Sequence, residues 1–246
     1  MGADAPESAE ETFTSQIIRV QPSLQRLVAD DIYLGAIYDM EYHRILETEP
    51  GKQLAQKTIL GSEGGVISGL GLYAIWDSRD NIFSASSGKN SLLEWRCYGG
   101  LFGSDFDFSH FLLDARQFLP VSTSSVFAIQ MYLSMHTGRP PSQYLSRIGG
   151  DKRLRGYYEG RYIDMQLWEA QCEYLFPFWW RFGMVAFVSA GQVAPEPGKF
   201  QLHGIKSAIG AGLRFKYDEK ERIFIRLDAG VAEGQVNFYL TINEAF

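Results

Sequence analysis

Residues 222–231 read Arg222-Ile223-Phe224-Ile225-Arg226-Leu227-Asp228-Ala229-Gly230-Val231, and the alternation in this stretch decides the fold. Side chains of a strand point to opposite faces in turn. One face therefore carries Ile223, Ile225, Leu227 and Ala229, and the other carries Arg222, Phe224, Arg226, Asp228 and Gly230. The first face suits an apolar surrounding and the second suits water. The same pattern recurs in 208–216, with Ile209, Ala211, Leu213 and Phe215 against Gly210, Gly212, Arg214 and Lys216. It recurs again in 236–242, with Val236, Phe238, Leu240 and Ile242 against Asn237, Tyr239 and Thr241.

Working back toward the N-terminus, 126–136 sets Phe127, Ile129, Met131, Leu133 and Met135 opposite Ala128, Gln130, Tyr132, Ser134 and His136. Residues 110–116 set Phe111, Leu113 and Ala115 opposite His110, Asp114 and Arg116. Strands are expected at about 13–28, 32–46, 65–79, 91–104, 106–119, 124–137, 165–180, 182–194, 206–217, 222–232 and 235–246, which is eleven or twelve in all. Most links between them are short, whereas 48–64 and 138–164 are long, the asymmetry of a transmembrane barrel with short inner turns and long outer loops. Residues 1–12 are acidic, Ala-rich and without periodicity, which predicts a disordered tail ahead of a barrel domain over 13–246.

Composition supports this reading. Of 246 residues 14% are aromatic and 25 are Gly, which favours strands, turns and interfacial anchors. The balance of 23 Lys and Arg against 29 Asp and Glu gives a net charge of -6, so no overall basic field attracts nucleic acid. The chain has no run of about 18 apolar residues, and a barrel is the other way to cross a bilayer. The opening MGADAPESAEE lacks a secretory signal, so the expectation is a mature form or a chain that begins internally. Cys97 and Cys172 lack metal-ligand spacing and read as packing residues, with a disulfide between them left open.

The longest irregular stretch contains Arg147-Ile148-Gly149-Gly150-Asp151-Lys152-Arg153-Leu154-Arg155-Gly156-Tyr157-Tyr158-Glu159-Gly160-Arg161. Its Gly149-Gly150 followed by Leu154-Arg155-Gly156-Tyr157 resembles the lumen-loop motif of the BamA/TamA family of bacterial surface antigens, a Gly-Gly segment and then a hydrophobic-Arg-Gly-aromatic tetrad. The resemblance continues through Tyr174-Leu175-Phe176-Pro177-Phe178-Trp179-Trp180-Arg181 and Phe187-Val188-Ser189-Ala190-Gly191-Gln192-Val193. Tyr73-Ala74-Ile75-Trp76-Asp77-Ser78-Arg79-Asp80-Asn81 resembles a strand-to-turn segment further upstream.

That resemblance implies an all-β antiparallel outer-membrane barrel, related to a sixteen-stranded one, whose long loop folds back into the lumen. It implies that Arg155 packs against the inner wall. A guanidinium has five donors and needs acceptors wherever it is buried, and Glu169, Gln171 and Glu173 share one face of the next strand. Family members carry an acid two residues before the glycine at Gly191. Ser189 stands there in this chain, so the contact is expected to be weaker or to pass through Glu169 or Glu173. Phe238, Leu240, Ile242 and the terminal Phe246 resemble the C-terminal signal that outer-membrane assembly machinery reads.

Aligned from the C-terminus, five strands follow the loop as in the family barrel and about six precede it. The first strands and the periplasmic POTRA domains are therefore expected to be missing. The implied role is assembly or translocation of outer-membrane material, with the lipid bilayer, the assembly machinery and periplasmic or outer-membrane clients as partners, or a pore gated by the loop. No cofactor, metal or enzymatic activity is expected.

Four other readings compete. Ser134 and His136 share a strand face, but no Gly-x-Ser-x-Gly elbow supports a hydrolase. His110 and Asp114 lack two further metal ligands, and Gly69-Leu70-Gly71 lies in a strand with no helix after it. The fourth reading, a soluble barrel or sandwich that binds an apolar ligand, requires Phe127, Met131, Leu133, Ile223 and Ile225 to point inward. The membrane barrel requires Phe127, Ile129, Ile223, Ile225 and Leu227 to face lipid, with Trp76, Trp179 and Trp180 at the interfaces.

Overall fold

A computed structural model describes residues 2, 6, 11–122 and 124–245. Most of the expected N-terminal tail, and Phe246 of the expected C-terminal signal, lie outside the described residues. The strands are β1 (Phe13–Val20), β2 (Ser23–Ala29), β3 (Ile32–Thr48), β4 (Gly65–Asp77), β5 (Gly88–Tyr98), β6 (Phe108–Pro120), β7 (Val126–Gly138), β8 (Ser146–Ile148), β9 (Tyr162–Asp164), β10 (Gln166–Trp179), β11 (Phe182–Ala194), β12 (Lys206–Asp218), β13 (Ile223–Ala232) and β14 (Gln235–Ile242).

All but β8 and β9 form one antiparallel sheet in the order β1-β3-β4-β5-β6-β7-β10-β11-β12-β13-β14, with β2 also on β3. Local sequence explains the departures from the expected boundaries. The expected strand 13–28 is broken at Gln21-Pro22, because proline has no N–H for the ladder. Its halves pair with the two ends of the long β3, β1 along Met40–Thr48 and β2 along Ile32–Ile37. The expected strand 91–104 stops at Tyr98, where Gly99, Gly100 and Gly103 open a turn. The last strand ends at Ile242 because Asn243 takes φ 69°.

The sheet is built inside out relative to a soluble protein. Ile129, Met131, Ile209, Leu213, Ile225, Leu227, Phe238, Leu240 and Ile242 are exposed on its outer face. Asp39, Glu94, Asp114, Gln130, Glu169, Glu173, Arg214, Arg226 and Asp228 are buried on the inner one. Charged residues are almost never buried in a soluble core unless paired, and a wall that is apolar outside and polar inside is the membrane-barrel pattern. The soluble, ligand-binding reading is thereby overturned: Met131 and Ile225, which it needs inside, lie outside.

Links between strands fall at two ends. One end holds 30–31, 78–87, 180–181 and 219–222, and the other holds 49–64, 99–107, 139–165, 195–205 and 233–234. The longer set marks the outer end. Loop 139–165 does not stay outside. It carries the small hairpin β8–β9 into the lumen, where Ile148, Leu154, Tyr157 and Tyr162 form an apolar cluster with Leu167, Val193, Ala208 and Ala232 of the wall. This cluster is the main core of the molecule, and it lies between loop and wall. Opposite it, between the loop and β1–β7, a cavity of about 700 Å³ remains, lined by Arg19, Glu41, Glu94, Arg96, His110 and Tyr144 among others.

Candidate functional site: the lumen loop and its wall

The loop makes its sharp bends where glycines permit them. Gly149 and Gly150 have φ of 100° and 115°, a region that costs residues with a Cβ. The Gly150 N–H donates to the Tyr157 carbonyl, 3.1 Å, and the Gly160 N–H to the Ile148 carbonyl, 2.9 Å, closing the segment on itself. Leu154 adopts φ 42° and is fully buried, its end resting where a Cβ on Gly191 would lie 2.8 Å away. Gly191 is thus the gap into which Leu154 fits. Gly156, at φ 129°, lies so close to β13 that an added Cβ would stand 3.0 Å from Ala232 Cβ.

This geometry aims Arg155 at the wall, with 0% of its surface exposed. Its Nη1 donates to Asp228 Oδ2 at 2.6 Å and its Nη2 to Glu173 Oε1, and its guanidinium lies 3.7 Å from the centre of the Phe187 ring. Asp228 in turn accepts from Arg214 Nη1, and Arg214 Nε donates to Glu244 at 2.7 Å. Arg226 Nε donates to Thr241 Oγ1 at 2.7 Å, and its Nη2 to the Asp151 carbonyl at 2.8 Å. A buried charge is tolerable only when it is paired and hydrogen-bonded, and this chain of alternating charges meets that condition.

Of the two acids expected for Arg155, Glu173 takes it, whereas Glu169 accepts from Arg153 Nε. The Arg153 guanidinium also stacks 3.7 Å over Tyr132. Gln171 donates to the Lys152 carbonyl at 3.0 Å and to Gln130 at 2.6 Å. Ser189 does not reach the guanidinium: its hydroxyl donates to the Ala208 carbonyl at 3.5 Å. Asp228, Arg214 and Arg226 were on the polar face read from 222–231 and 208–216, but alternation alone did not join them to Arg155. The available signal was charge of both signs on the inner faces of adjacent strands.

Phe238, Leu240 and Ile242 point outward from β14. Beyond them the left-handed turn at Asn243, whose N–H donates to the Phe224 carbonyl at 2.8 Å, carries Glu244 inward to Arg214. Without that turn, alternation would set the Glu244 carboxylate on the apolar face.

Elsewhere in the lumen, Ser134 Oγ lies 2.9 Å from His110 Nε2 and 2.7 Å from Ser146 Oγ. His136 Nδ1 meets the Met165 carbonyl at 2.9 Å, which assigns its proton to that nitrogen. Ser134 is therefore bonded to His110 instead of His136, and among the described residues no carboxylate orients either ring as a triad requires. No metal-binding cluster occurs among the described residues.

The model of the Omp85 superfamily domain matches residues 42–218. No curated protein matches the chain. Among solved structures, BamA from Haemophilus ducreyi lacking POTRA domains 1–3 superimposes with a TM-score of 0.68 at 14% identity, over 96% of this chain and 56% of that one. This chain therefore spans little more than half the length of that relative. Two other barrels lie further off. The beta domain of the Bordetella autotransporter BrkA has a TM-score of 0.38 at 13% identity, over 93% of this chain and 88% of that one. The Pseudomonas putida toluene transporter TodX has 0.39 at 13%, over 95% and 71%. A family model that covers most of the chain and an inside-out sheet with a BamA-like course lead to one assignment: the chain belongs to the Omp85 superfamily, as a BamA/TamA-type barrel of the bacterial outer membrane.

Proposed function

We propose that this barrel assists the insertion or translocation of outer-membrane proteins by offering the free edge of β14 to client strands while the loop keeps the lumen shut. The observation that carries this reading is the one-sided pairing of β14. Among the described residues it is bonded to β13 along Gln235–Ile242 and to no other strand, with Phe238, Leu240 and Ile242 exposed beside that edge. An unpaired edge is a template for another strand. In a bilayer the outward apolar side chains suit a client whose own lipid face continues the sheet.

The test is photo-crosslinking from Val236 or Leu240, each replaced by a photoreactive amino acid, in cells that are assembling outer-membrane proteins. Adducts to nascent barrels from these positions, and none from Leu93 on the outer face of mid-sheet β5, are expected. Equal labelling from all three positions, or no client adducts, rejects the reading. The second reading, a pore gated by the loop, is favoured by the cavity of about 700 Å³ beside the loop. Assembly machinery and periplasmic clients are the partners either reading implies.

A further inference from the structure

Asn237, Tyr239 and Thr241 on the inner face of β14 are all hydrogen-bonded, and their partners belong to the lumen loop or to the charged cluster that holds it. Asn237 Nδ2 donates to the Gly156 carbonyl. The Tyr239 hydroxyl accepts from the Gly156 N–H at 2.9 Å and donates to the Tyr157 carbonyl at 3.1 Å. Thr241 accepts from Arg226, and Glu244, just past the strand, pairs with Arg214. The two arginines flank Asp228, the residue that receives Arg155. The loop backbone at 155–157 also lies against β13, where a Cβ on Gly230 would collide with the Arg155 carbonyl.

We propose that the loop is a latch on the last strand, with Asn237 and Tyr239 as positioning residues that hold β14 in the sheet. A strand at a sheet edge has ladder bonds on one side only and is the first to fray. Among the described residues β14 pairs with β13 alone, and side-chain bonds to a loop that is itself pinned by a buried ion pair add to that ladder. Withdrawal of Arg155 from Asp228 and Glu173 releases Gly156 and Tyr157, and with them β14. The state of the loop thereby sets how readily the edge opens. The use of that opening rests on the client-edge reading above, but the latch itself does not.

The experiment is amide hydrogen exchange on the whole chain in lipid nanodiscs. Tyr239→Phe removes one hydroxyl and leaves the ring and the β13–β14 ladder in place. It is expected to speed exchange across 235–242 roughly tenfold, the effect of losing one or two hydrogen bonds, and to leave β3–β7 unchanged. Arg155→Ala, which removes bonds to Asp228 of β13 and Glu173 of β10 and the contact with Phe187 of β11, is expected to speed exchange in 235–242 by at least as much. The double variant is expected to match Arg155→Ala alone, since both changes break one connection.

A purely structural role for Tyr239 gives additive effects instead. Unchanged exchange in β14 for Arg155→Ala, or additive effects in the double variant, overturns the latch. Should Arg155→Ala fail to fold, Asn237→Ala serves in its place, with loosening of 152–158 as the expected reciprocal effect and an unmoved loop as the contrary one. If β14 loosens as expected while crosslinking to clients is unaltered, the latch stands and the client-edge reading falls.

Discussion

Arg155 concentrates the chemistry of the site in one side chain. It is fully buried, its fork spans carboxylates on two different strands, and a third contact comes from the Phe187 ring. Removing one partner of a buried ion pair costs about 3–5 kcal/mol because the other charge is left without compensation. Arg155→Ala is expected to lower the thermal midpoint of unfolding in micelles by a loss of that order. Arg155→Lys keeps the charge but loses the planar fork, so it is expected to recover only part of the difference. A lysine variant as stable as the wild type would show that the two-carboxylate geometry is unimportant. The motif around Arg155 was legible in the sequence, and so was the pool of acids in β10. Asp228 was not, because period-two alternation tells which face a residue takes but not which strand lies across the lumen from a loop.

At the level of elements, the inward and outward faces of β7, β12, β13 and β14 follow from alternation residue by residue, and the eleven stations of the sheet fall close to their expected positions. What alternation missed were interruptions set by single residues: Pro22, which divides the first strand, and Asn243, which turns the last one inward. It also missed contacts between turns far apart in the chain. At the short-turn end, link 78–87 reaches across to link 219–222. Arg222 Nη1 donates to Asp80 at 2.6 Å, and Asn81 Nδ2 to the Glu221 carbonyl at 3.3 Å. Nothing in either turn's sequence announces the other.

Burial alone would raise the Asp80 carboxyl. Hydrogen bonds from Ser86, Arg222 and Ser87 outweigh it and hold the group well below the usual carboxylate value of 3.8. A depressed folded-state value contributes stability above the unfolded value and loses it as pH falls toward the folded one. The stability difference between wild type and Asp80→Asn is therefore expected to stay constant from pH 7 to about pH 5, and to shrink only below about pH 4. Thermal unfolding of both proteins in micelles across that range checks this. A difference that already closes between pH 7 and 5 contradicts it.

The whole molecule is a sheet curled around one of its own loops. Its outer face is apolar and its inner face charged. The loop fills the half of the lumen along β10–β13 with an apolar cluster, and a polar cavity remains on the β1–β7 side. On the loop-gate and latch proposals, the same buried ion pairs shut the lumen and hold the edge strand. Traffic through the middle and opening at the side then share a single control. The measurement that tests this most directly is single-channel current across a planar bilayer, for wild type and for Arg155→Ala at equal protein insertion. Low, mostly closed current in the wild type is expected, with larger and longer openings when Arg155 is removed. A large steady conductance in the wild type that Arg155→Ala leaves unchanged would contradict a lumen held shut by the loop.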